Sequence, residues 1–90
     1  MPLDRQAVKE TIRAKVLEIA ANLGEDASEL EDDEIIPASG FLDSAAILEL
    51  VVWYESEYGL TLRQDEINID NLGSVNAMAD FLIRRKEGEG

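Results

Sequence analysis

The chain has 90 residues, 46% of them apolar, and a net charge of −12 that repels nucleic acid and anionic membrane and favours basic partners. It has no cysteine and no histidine, which excludes disulfides and thiolate or imidazole metal sites and removes the commonest general base. One domain of this size has a modest core and no room for a deep catalytic cleft. No run of about 20 apolar residues could cross a membrane, and Met1 to Arg5 lack a signal peptide's apolar stretch, so a cytoplasmic, non-enzymatic domain over residues 1–90 is expected.

The first helix is predicted from about Asp4 to Leu23. Val8, Ile12, Val16, Ile19 and Leu23 recur at spacings of four, four, three and four. Gly24 follows the last of them, where a C-terminal cap wants a residue that tolerates positive φ.

Residues 25–43 read as a long loop. Glu29, Glu31, Asp32, Asp33 and Glu34 crowd together and oppose a stable helix, and Pro37, Ser39 and Gly40 keep the chain irregular. Leu30, Ile35, Ile36, Phe41 and Leu42 are expected to pin this loop to the core, with room for a short helical turn. Loops this long in small domains tend to be functional.

The second helix is predicted over about Ser44 to Tyr58, with Asp43 and Ser44 both good capping residues and Gly59 ending it. Nine of the ten residues from Ala45 to Tyr54 are apolar. Ile47, Leu50, Val51, Tyr54 and Tyr58 share one face, and Ala45, Ala46, Glu49, Val52, Trp53 and Ser56 the other. One small domain cannot easily bury both faces, so the Glu49 face is expected to be partly exposed for a partner. Trp53, about 40° from Glu49, is expected to be partly exposed, as core or as partner contact.

Leu60, Thr61 and Leu62 read as extended. A helical turn is expected near 65–69, with Ile67, Ile69 and Leu72 facing inward. Ser74 is the expected N-cap of a last helix over about 74–86, with Val75, Met78, Ala79 and Leu82 as its stripe and Phe81 at the edge. Arg84, Arg85 and Lys86 complement its C-terminal dipole. Residues 86–90 are expected to fray. The predicted fold is all-α, a bundle of three long helices and a short one. Its core is Val8, Ile12, Val16, Ile19, Ile47, Leu50, Val51, Tyr54, Ile67, Val75, Ala79 and Leu82.

Charge is unevenly spread along this plan. Residues 1–15 sum to +2 and residues 63–90 to −2, while Val16 to Leu62 hold twelve acids and no base. The middle of the chain thus accounts for the whole net charge.

Within that middle stand Gly40-Phe41-Leu42-Asp43-Ser44, followed at once by the second helix. Here the chain resembles the acyl carrier proteins, the family of fatty-acyl, polyketide, peptidyl and D-alanyl carriers. The resemblance runs from about Val8 to Leu82. It takes in the helix order, the acidic first loop, the Asp-Ser junction, the Glu55-Ser56-Glu57-Tyr58 helix end and the Ser74-Val75…Phe81-Leu82 segment. It implies an acyl-carrier type of small helical bundle with a long first loop. It also implies 4′-phosphopantetheine, taken from coenzyme A and attached to Ser44 by a phosphopantetheinyl transferase, whose thiol carries acyl groups as thioesters between biosynthetic enzymes.

The chemistry agrees with that implication. A transferase needs an exposed hydroxyl, and a phosphodiester sits well beside the free N–H groups of a helix N-terminus. A carrier needs a thiol, and this chain has none of its own.

The resemblance further implies basic docking patches on the loading and acyl-using enzymes, met here by Asp43, Ala45, Glu49, Val52, Trp53, Glu55 and Glu57. Rim acids of this kind set on-rate and specificity. Ala45 stands where the family usually has a large apolar residue, and Ala46 where fatty-acid carriers often have an acid. Both are expected on the partner face, where they depart from what standard fatty-acid synthase enzymes recognise, so a carrier dedicated to one pathway is expected at least as much as a general one. A monomer is expected.

Other readings fit less of the chain. Neither Glu29–Glu34 nor Asp65–Asp70 has the alternating ligands, central glycine and closing glutamate of a calcium loop. An acidic DNA mimic needs charges at phosphate-like spacing along one edge, which the sequence does not display. An unmodified helical adaptor for a basic partner would share the fold and charge, and phosphopantetheine on Ser44 separates it from a carrier.

Overall fold

The computed structural model describes residues 4–88. In chain order these form α1 (Arg5–Asn22), α2 (Ile36–Ser39), α3 (Ser44–Tyr58), α4 (Ile69–Leu72) and α5 (Val75–Gly88), with a 3-10 turn at Gln64–Glu66 between α3 and α4. There is no strand among the described residues, and the all-helical bundle expected from the sequence is the fold observed.

The α1 helix begins where the Asp4 carboxylate accepts the Gln6 N–H at 3.0 Å. Its stripe, Val8, Ile12, Val16 and Ile19, is buried against α5 and α3. Each such side chain contributes about 1.5–3 kcal/mol on leaving water. The helix closes in a Schellman turn: the Glu25 N–H reaches the Ala20 carbonyl, the Gly24 N–H reaches Ala21, and Gly24 sits at φ +81°. Leu23 is the C-cap, where the chain leaves the helix, and this expected fifth member of the stripe is 44% exposed while Ala20 is buried.

The long loop is pinned from inside and tied from outside. Ala27, Leu30, Ile36 and Leu42 are buried and Phe41 is half-buried, whereas Ile35 faces solvent. Asp32 is the tie. Its carboxylate meets Lys9 at 2.9 Å and Arg13 at 3.2 Å, and its backbone carbonyl accepts the Asn76 N–H at 2.9 Å. One residue of the acidic run therefore links α1, the loop and α5.

The segment between α3 and α5 departs from expectation. Leu60 and Leu62 are buried around exposed Thr61, as alternation predicts. The single turn expected near 65–69 is instead two short pieces, Gln64–Glu66 and Ile69–Leu72. Of the three residues expected to face inward, only Leu72 does; Ile67 and Ile69 are 45% and 56% exposed. The cause is that α4 packs on α5 rather than on α3. Ile67 and Ile69 consequently line an open apolar cleft of about 190 Å³ with Pro37, Ile47 and Val51. Ile47, also expected in the core, is only half-buried there.

The α5 helix starts where the Ser74 hydroxyl accepts the Ala77 N–H at 3.0 Å. It buries Val75, Met78, Ala79, Phe81 and Leu82. It runs on through Gly88, past the expected end at 86; residues 89–90 of the expected frayed tail lie outside the described residues. Arg85 does more than complement the dipole. It holds the Glu66 carboxylate at 3.0 Å and 3.1 Å and donates to the Thr61 carbonyl at 2.9 Å, fastening the α3–α4 connection to α5. Glu66 is accordingly held below the ordinary carboxylate range, first by the Arg63 backbone N–H and then by Arg85.

Candidate functional site

The approach to α3 is fastened on both sides of one turn. The Ile36 N–H donates to the Gly73 carbonyl at 2.7 Å, and the Ser39 hydroxyl donates to the Ile36 carbonyl at 2.6 Å. Gly40, at φ +83°, then turns the chain in the left-handed region that side chains avoid. Beyond it Leu42 is buried and Phe41 half-buried. The lead-in is thereby anchored, and Asp43, Ser44 and Ala45 emerge exposed.

Asp43 is the N-cap. Its backbone is extended at φ −86° and ψ 179°, and its carboxylate accepts the Ala46 N–H at 2.8 Å. Ser44 is the first helical residue, so capping leaves its hydroxyl unused. The Ser44 and Ala45 N–H groups have no carbonyl behind them in the helix, and with the dipole of a 15-residue helix they favour an anion. A hydroxyl that water and a large enzyme can both reach, beside N–H groups that suit a phosphodiester, is a fit for phosphopantetheine.

The surface of α3 beyond Ser44 differs from the expected division. Ala46 is 5% exposed and joins the core, because it lies only about 40° from Leu50, itself 2% exposed. Of the two alanines expected on the partner face, only Ala45 is there. Leu48 is the residue that sequence reasoning missed. It is 63% exposed, more than any other large apolar side chain among the described residues, with Val52 next to it at 57%. Ser44, Leu48 and Val52 are four residues apart, each about 40° on from the last, so the hydroxyl and two bare aliphatics form one stripe. That i, i+4, i+8 pattern was available in the sequence.

The remaining expected partner residues are divided. Glu49 and Glu57 are exposed and Trp53 is half-buried. Glu55 is half-buried and turned toward its own helix end, where its carboxylate accepts the Leu62 N–H at 2.9 Å. Its backbone carbonyl also takes the Gly59 and Leu60 N–H groups.

Among the described residues, no helix is long and apolar enough to cross a membrane. The family model described as phosphopantetheine attachment site matches residues 10–82, a span that contains the loop, the Asp43-Ser44 junction and all of α3 and α4. No curated protein matches the chain.

Proposed function

The chain belongs to the phosphopantetheine attachment-site family, and on that premise we propose that Ser44 is the attachment residue and that the cargo is an acyl group. The protein is a carrier whose prosthetic group is covalent 4′-phosphopantetheine, and carrier domains of this kind are not themselves catalytic. The observation that carries the residue assignment is the exposed Ser44 hydroxyl at the first position of α3, left free by the Asp43 cap.

In this reading the Ser44 oxygen forms the new bond to phosphorus as coenzyme A gives up its nucleotide portion, and the hydroxyl proton passes to the transferase. The Ser44 and Ala45 N–H groups then face the phosphodiester. When bound, the group supplies the terminal thiol, absent from the chain itself, that holds an acyl cargo as a thioester. The apolar cleft at Ile47 and Val51, within two turns of Ser44 on the same helix, favours an apolar acyl chain over a charged one. Partner enzymes meet the Leu48 and Val52 stripe and the acids around it. A cytoplasmic monomer shuttling between such enzymes completes the reading.

Intact-protein mass after incubation with coenzyme A, magnesium and a promiscuous phosphopantetheinyl transferase tests it, with Ser44→Ala alongside. Gain of one phosphopantetheinyl group by the wild type alone is the expected result. Modification of the alanine variant would move the site elsewhere. No modification by several transferases would leave an unmodified adaptor for a basic partner as the better account.

A further inference from the structure

Residues 63–72 form a strap between α3 and α5. Its near end is the Thr61–Leu62 peptide, held from both sides. The Leu62 N–H donates to the Glu55 carboxylate of α3 at 2.9 Å, and the Thr61 carbonyl accepts from Arg85 of α5 at 2.9 Å. Its far end is Gly73, whose carbonyl accepts the Ile36 N–H of α2 at 2.7 Å. Between these ends the strap is bonded to itself. The Asn71 side chain donates to the Glu66 carbonyl and the Asn68 side chain to the Asp65 carbonyl, each at 3.0 Å, so the turn and α4 move as one piece. Arg85 also takes both Glu66 carboxylate oxygens, at 3.0 Å and 3.1 Å, and so draws the middle of this piece toward α5. Both side chains of that pair are about three-quarters buried, at 27% and 24% exposure, which shields it from much of the screening an exposed pair suffers.

The other edge of the strap is apolar and open. Ile67 and Ile69 are 45% and 56% exposed, and they line the same cleft as Ile47 and Val51 of α3. Apolar walls on either side of a wet gap lose exposed area when the gap closes, so burial favours closing. An open cleft therefore needs something that pulls the other way, and the Arg85 fork on Glu66 does so. We propose that the Arg85–Glu66 pair is a latch. Engaged, it keeps the strap on α5 and the cleft open. Released, the strap turns about Thr61–Leu62 and Gly73 and lays Ile67 and Ile69 over Ile47. What the cleft receives rests on the carrier reading; the latch itself requires nothing on Ser44.

The full unmodified chain, labelled at its isoleucine methyls, is compared with Arg85→Gln and with Glu66→Gln, which keeps an oxygen for the Arg63 N–H. Relaxation of each methyl by gadodiamide, a neutral soluble paramagnet, reads its exposure. The Ile67 and Ile69 methyls are expected to lose about half of that relaxation in either variant. Hexanol, an uncharged probe of the cleft, is titrated against the same methyls. If release lowers the open form to about a fifth of the population, hexanol binds about fivefold more weakly. Arg85→Glu joined to Glu66→Arg restores part of both signals, because the pair is rebuilt with its charges exchanged. Glu66→Gln changes no side-chain shape, so it carries the test if Arg85→Gln fails to fold.

The direction of the change separates a latch from an ordinary stabilising bond. Losing an ordinary bond loosens the strap and raises the exposure of Ile67 and Ile69, and that result would overturn the inference. Unchanged exposure and unchanged hexanol affinity in both variants would overturn it as well. Failure of Ser44 to accept phosphopantetheine is read by mass on a different residue, so the carrier reading and the latch stand or fall separately.

Discussion

The Tyr54 hydroxyl donates to the Met78 carbonyl at 2.7 Å in the buried centre of the bundle, joining α3 to α5. Tyr54→Phe keeps the ring and removes only that bond, so it is expected to cost about 1 kcal/mol. In a domain of this length the melting temperature followed by circular dichroism should fall by about 4–8 °C. An unchanged melting curve would mean that the bond contributes nothing net.

The chain has two tyrosines, and both resist ionisation. Burial is the main cause in each; the neighbouring Tyr58 adds to it for Tyr54 and Glu57 adds to it for Tyr58. A folded-state pKa raised above the ordinary 10.0 contributes stability that is complete below that value and is lost as pH climbs past it. Tyrosinate absorbance should therefore stay low through the range where free tyrosine ionises and rise together with loss of helical signal. Smooth titration near the ordinary value in a protein that stays folded would contradict the buried placement.

Asp32 gives the acid side of the same argument. The Lys9 hydrogen bond, and then the charges of Lys9 and Arg13, hold its carboxyl below the ordinary 3.8. A depressed carboxyl stabilises the fold above its unfolded value, and that contribution disappears as pH falls through the lower folded one. Asp32→Asn should be about 1 kcal/mol less stable than the wild type at neutral pH, a modest figure because the pair is partly exposed. Urea melts at pH 7 and at pH 3 check the sign: the gap between the two proteins must narrow at the lower pH.

Leu48→Ser and Val52→Ser separate docking from folding. Both side chains are exposed, so stability should move by less than about 0.5 kcal/mol. Transfer of the prosthetic group, read as kcat/KM of the transferase, should fall about tenfold if either side chain is a docking hot spot. Wild-type kinetics in both variants would remove the stripe from the interface.

Glu55 and Glu57 are two residues apart, yet substitution to alanine should affect different properties. Glu55→Ala strands the Leu62 N–H and is expected to lower stability by about 1 kcal/mol. Glu57→Ala has no such bond to break among the described residues and should leave the melting temperature in place.

Much of this was legible because it is local. Asp43 and Ser44 meet at a loop–helix junction whose capping chemistry spans three residues, so the exposed hydroxyl could be placed without knowing what packs where. The stripes of α1 and α5 were legible for the same reason, since a run of regular spacings defines a face by itself. A helix that is apolar all round offers no such guide. Azimuth alone could not say that the core is centred near Leu50 and Tyr54, which draws Ala46 in and leaves Leu48 out. Ile67 and Ile69 were misplaced because their burial depends on which helix α4 packs against, a contact between distant parts of the chain like the one Arg85 makes with Glu66 from 19 residues away.

The fastening of residues 61–66 to α5 through Arg85, with the Glu55–Leu62 bond and an open cleft on the α3 side, makes the molecule's seams unequal. Amide protons of Gln64–Glu66 and Ile69–Leu72 should exchange with solvent through openings confined to that edge, while those of α1 and α5 wait for the whole domain to unfold. The clock that governs access between α3 and α4 is then distinct from the clock that governs the protein's survival, and a change at Glu66 or Arg85 falls first on the former.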